Sequence, residues 1–192
     1  MALSQHNIKV ELREILLKDR PNDLLKISPK GTVPVLQLSN EKIIDESLDI
    51  MYWTVQNNKS NWTDFNFAEQ KKLIQINDKD FKYYLDRYKY SDRYPEKSKT
   101  HYQKKCMKYL TQYEDKLNNN IFLVDDEIQI VDIAIFPFIR QYAHVDRIQF
   151  PKLFPKLDNY LKTILNSKLF NSVMDKYPVW NLESKKIITD FN

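Results

Sequence analysis

The chain has 192 residues, 42% hydrophobic and 29% charged, with 30 basic and 26 acidic residues and a formal net charge of +4, so it is long enough for one domain or two small ones around an ordinary core. The two signs of charge are mixed along the sequence, which argues against a nucleic-acid binder, and no apolar run approaches the roughly 18 residues that span a bilayer. The first residues lack the basic-then-apolar pattern of a secretory signal, so a cytoplasmic protein is expected, and a single cysteine, Cys106, excludes both an internal disulfide and a CxxC pair.

Residues 8–14 alternate, with Ile8, Val10 and Leu12 set against Lys9, Glu11 and Arg13, which predicts a half-buried strand. Residues 23–27 read as a short helix. Residues 32–38 and 42–45 read as two strands joined by the polar turn Ser39-Asn40-Glu41, and residues 46–56 as a helix. The sole glycine, Gly31, stands in Pro29-Lys30-Gly31-Thr32-Val33-Pro34-Val35-Leu36. A chain with glycine nowhere else keeps it here for a positive φ or a close backbone approach. Pro34 falls inside an otherwise good strand, where proline removes a ladder donor, so an edge or a special turn with a cis peptide suits it. If the Val33 amide and carbonyl face outward, they can pair with an extended peptide. The start of the next helix, at Glu46-Ser47, can then accept a carboxylate. The ligand expected from these features is a small anionic peptide.

Residues 58–66 shift to polar turn formers and read as a linker. They hold two Asn-x-Ser/Thr matches, at Asn58 and Asn61, which are expected to be idle without a secretory signal. Beyond them the pattern is helical: residues 67–87, 99–118 and 131–144, then two helices opened by Pro155 and Ser167. Strand signals all but vanish. Cys106, Leu110, Tyr113 and Leu117 lie on one helical face, which makes Cys106 a core thiol. The helix over 131–144 is apolar on most sides and should be the centre of a bundle, kinked at Pro137. Phe81, Tyr84, Leu85 and Tyr88 also share a face, so the aromatic and basic run 81–90 reads as core or the wall of an apolar pocket. His6, His101 and His144 are isolated, and no metal site is expected.

Taken together, the Val33-Pro34 and Glu46-Ser47 pairs resemble the glutathione-binding half of the glutathione transferase family, where the valine before a cis-proline pairs with the cysteinyl backbone of glutathione and an acidic-serine pair holds its γ-glutamyl end. Residues 128–143 resemble the sixth helix of that family's helical domain, and 167–180 its C-terminal end. The resemblance implies an α/β thioredoxin-like domain over residues 1–57, a linker over 58–66, and an all-α helical bundle over 67–192. It also implies glutathione as co-substrate, a homodimer, and a binding set of Arg20, Val33, Pro34, Glu46 and Ser47, with Arg20 where relatives carry a base for the glycine carboxylate. One departure is Gln129, where the family places Ser or Thr as the cap three residues before the aspartate, here Asp132.

The resemblance further implies that the family's first strand and most of its first helix are missing, residues 1–7 being that helix's last turns. The absent strand would be an interior one, leaving neighbouring backbone without partners. The catalytic Ser, Tyr or Cys of the family lies in the same missing region, so no catalytic residue is assigned; Ser4 is badly placed to replace it. The expected function is transfer or exchange of the glutathione thiol with a small electrophile or a disulfide. The alternative is a non-catalytic scaffold or regulatory binding subunit of the same fold.

Overall fold

A computed structural model describes residues 1–191. In chain order the elements are α1 (Ala2–Gln5), β1 (Val10–Leu12), α2 (Asn22–Ile27), β2 (Leu36–Gln37), β3 (Ile43–Ile44), α3 (Ser47–Gln56), α4 (Phe67–Ile76), α5 (Lys82–Lys89), α6 (Lys99–Lys116), α7 (Ile130–Val145), α8 (Phe150–Leu153), α9 (Pro155–Leu165), α10 (Lys168–Asn171) and β4 (Ile187–Thr189). They form two compact units, residues 1–60 with 167–191, and residues 61–166.

In the first unit, Asn7, two residues past the end of α1, takes a φ of 51°, which suits a side chain tolerant of the left-handed region, and the chain turns into β1. The strands are shorter than the sequence pattern predicts. Pro34 has no N–H to give a ladder and Gly31 turns the chain, so pairing starts only at Leu36, opposite Ile44, with Gln37 opposite Ile43. Glu41 closes this hairpin with φ 65°. α3 buries Ile50, Thr54 and Val55, the Thr54 hydroxyl donating to the Ile50 carbonyl at 2.8 Å.

The expectation of a helical domain running to residue 192, with almost no strand signal, needs correction for its last stretch. Residues 167–191 belong to the first unit, and β4 pairs antiparallel with β1, Leu12 facing Ile187, Glu11 facing Ile188 and Val10 facing Thr189. Upstream of β4, the Trp180 amide donates to the Glu14 carbonyl at 2.8 Å, and the Arg13 guanidinium lies 4.6 Å from the centre of the Trp180 ring. β1 is therefore not left without a ladder.

The second unit is helical. α4 and α5 read as one helix in the sequence but are joined by a π-helical turn over Asn77–Phe81. α6 presents the expected stripe: Cys106, Leu110, Tyr113 and Leu117 are all buried, and burial pushes the Cys106 thiol up to about 12, far from a reactive thiolate. Phe81, Leu85 and Tyr88 are buried too, with Phe81 edge-on to Tyr113 at 6.1 Å. The exposed Tyr83 and Tyr90 of the same run are covered by the chain's own Arg87 and Arg93, at 3.4 and 4.6 Å from their ring centres. Trp62, within the predicted linker, is a core residue whose carbonyl accepts from the Ile130 amide. α7 continues through Pro137.

The start of α7 shows how the chain manages without Ser or Thr at the cap. The Gln129 side chain donates to Asp125 and accepts from Gln70. Asp132, fully buried, takes over: one carboxylate oxygen accepts from the Gln129 amide at 2.8 Å and the other from the Leu123 amide at 2.9 Å. The predicted starts of the later helices are as expected. Pro155 is the first residue of α9, and the Ser167 hydroxyl caps α10 by accepting from the Phe170 amide at 3.0 Å.

Candidate functional site

The site is built around the turn between α2 and β2. Ser28 ends α2, its amide bonded to the Leu24 carbonyl, and its own carbonyl accepts from the Gly31 amide at 2.9 Å. That closes a tight turn in which Gly31 takes φ +61°. Arg20 crosses over it and donates from Nε to the Gly31 carbonyl at 2.7 Å. A Cβ at Gly31 would lie 2.9 Å from Arg20 Cδ and 3.0 Å from Leu25 Cδ2, so the glycine answers to two demands, the positive φ and the close approach. Gly31→Ala is expected to cost about 1–3 kcal/mol, the range for a non-glycine residue held in this region. An unchanged urea midpoint would show that the turn relaxes freely.

Two residues on, Val33 is 46% exposed and its bond to Pro34 is cis. Among the described residues, no hydrogen bond engages the Val33 backbone N–H or C=O. The hairpin pairs Leu36 with Ile44 and Gln37 with Ile43, so that Pro34 stands two residues before its first strand and Glu46 two residues after the partner Ile44. Glu46 is the N-cap residue of α3 and Ser47 its first residue; the Glu46 side chain does not cap the helix.

The Glu46 carboxylate is instead engaged from the Gly31 turn. Lys30 Nζ lies 2.9 Å from Glu46 Oε1 and 3.4 Å from Asp45 Oδ2, and Ser28 Oγ donates to that same Asp45 oxygen at 3.2 Å. The hydrogen bond to Glu46, and then that to Asp45, hold the Lys30 ammonium above its ordinary value, so it stays charged. The structure thus gathers all five residues singled out from the sequence, Arg20, Val33, Pro34, Glu46 and Ser47, around one turn and one helix start. Sequence reasoning missed Lys30 and Asp45. Both stand beside motif residues, yet adjacency does not reveal that the turn folds one charge onto the other. Ser4 is placed elsewhere: it is buried, with its hydroxyl 2.9 Å from that of Ser172.

Residues 1–62 match the model of the glutathione S-transferase N-terminal domain, and residues 76–168 that of the glutathione S-transferase C-terminal domain. The chain belongs to the glutathione S-transferase family. Its fold is accordingly the thioredoxin-like α/β domain with a helical C-terminal domain. Solved structures of the family agree. BphK, a bacterial transferase seen in a ternary complex, is 19% identical with a TM-score of 0.72, covering 89% of this chain and 88% of its own. A Methylobacillus flagellatus transferase with glutathione bound is 16% identical, TM-score 0.72, covering 88% and 89%. The transferase URE2P8 of Phanerochaete chrysosporium, with oxidised glutathione, is 18% identical, TM-score 0.70, covering 88% and 84%. None of the curated protein sequences compared with the chain matches it.

Proposed function

We propose that this protein binds glutathione at the Gly31 turn and takes part in transfer or exchange of its thiol with a small electrophile or disulfide, as a cytoplasmic homodimer. The observation that carries the reading is the exposed Val33, whose backbone donor and acceptor have no partner among the described residues, in the loop whose Lys30 reaches the helix start that carries Glu46 and Ser47. An extended peptide laid along Val33 would complete both bonds, as an added strand does. Its γ-glutamyl end would reach Glu46, which takes the ammonium, and Ser47, whose hydroxyl and helix-start amides take the carboxylate. Arg20, tied to Gly31 through Nε, supplies positive charge for the glycine carboxylate at the other end.

The reading has a direct test. Calorimetry with reduced glutathione should give saturable binding, and Glu46→Gln should weaken it by about tenfold or more, the order expected when a hydrogen bond to a charged group is lost. A folded protein that gives no saturable heat would overturn it.

A further inference from the structure

We propose that Lys30 sets the affinity of this site by holding the Glu46 carboxylate in the free protein, so that a γ-glutamyl ammonium must displace it. The inference rests on the glutathione reading above. It starts from the seat that Lys30 occupies: its Nζ is 2.9 Å from Glu46 Oε1, the distance at which a ligand ammonium would sit on that oxygen.

The lysine is aimed there by its surroundings. The amide of the next residue, Gly31, is bonded to the Ser28 carbonyl and the Gly31 carbonyl is held by Arg20, so the turn is fastened on both sides of the peptide. Ser28, through its hydroxyl, also holds Asp45, the second carboxylate that Lys30 meets. An incoming ammonium faces two alternatives. It displaces Lys30 from Glu46, or it shares the carboxylate with a like charge a few ångströms away, and either lowers affinity.

The pair is open to solvent, with the Lys30 and Glu46 side chains 54% and 61% exposed, so the effect is modest. Lys30→Met should tighten glutathione binding about two- to fivefold, the range for an exposed ion pair, whereas Lys30→Arg should not. The tightening should be absent for the analogue in which glutaryl replaces γ-glutamyl, since it brings no ammonium to Glu46.

The measurement is calorimetry on wild type, Lys30→Met and Lys30→Arg with glutathione and with the glutaryl analogue, circular dichroism having verified the fold. Tighter binding of glutathione alone by Lys30→Met supports the proposal. Equal binding overturns it and leaves the glutathione reading standing. Weaker binding also overturns it, making Lys30 a ligand-holding residue. If no protein binds glutathione, the underlying reading fails, and the proposal with it.

Discussion

Replacing Asp132 by alanine is expected to destabilise the protein by about 2–6 kcal/mol. The carboxylate accepts from two buried amides, Leu123 through Oδ1 and Gln129 through Oδ2. An amide left without an acceptor in a buried site costs about 1–3 kcal/mol, and alanine leaves both in that state. Asn at this position offers one carbonyl oxygen and turns an N–H group toward the other donor, so Asp132→Asn should lose part of the same stability. Urea denaturation measures both. A loss under about 1 kcal/mol for the alanine variant would mean that water or a shifted backbone replaces the carboxylate.

The same residue makes stability depend on pH in an unusual direction. Burial pushes the Asp132 carboxyl up to about 7, against the two amide hydrogen bonds that favour its charged form. In the unfolded chain it titrates near the ordinary carboxylate value of about 4. The folded value is the higher one, so between about pH 4 and 7 the native state holds a proton that the unfolded chain has released. Its contribution is full below that window and is lost as pH rises through it. Paired surface carboxylates such as Glu11, held low by Arg13, give the opposite trend at lower pH. The difference between wild type and Asp132→Asn removes those shared terms. The deficit of the Asn variant should shrink from pH 5 to pH 8; a constant deficit would show that Asp132 does not titrate there.

The contrast between Asp132 and β4 marks where sequence reasoning works. A helix start is local, so an aspartate three residues after its cap position was legible, even though the cap residue itself was unpromising. The buried stripe from Cys106 to Leu117 was legible for the same reason: helical spacing alone puts those side chains on one face. The turn was legible because one glycine and one misplaced proline have few physical explanations. What the pattern did not carry was pairing at a distance. Ile187, Ile188 and Thr189 are consecutive β-branched residues, a fair strand signal, but three residues weigh little after a long helical region. Nothing local names β1 as their partner. The ion pair from Lys30 to Glu46 escaped for a related reason, since the contact exists only once the turn and the hairpin have both formed.

Removing residues 178–192 is expected to cost the first unit about 2–4 kcal/mol. β1 is short, and its ladder is made with β4, in a register that sets Leu12 against Ile187 and Val10 against Thr189. The segment that leads into β4 adds the bond from the Trp180 amide to the Glu14 carbonyl. Each such hydrogen bond contributes about 1 kcal/mol net, and β1 backbone left without partners adds to the loss. Hydrogen exchange distinguishes this from a general loosening. Amides of residues 10–14 should lose protection in the shortened protein, while those of α7, enclosed in the core of the other unit, serve as the internal reference. If residues 10–14 exchange at the wild-type rate, β4 lies on β1 without supporting it. If α7 loses protection to the same degree, the two units unfold together, and the loss of β4 is felt by the whole chain.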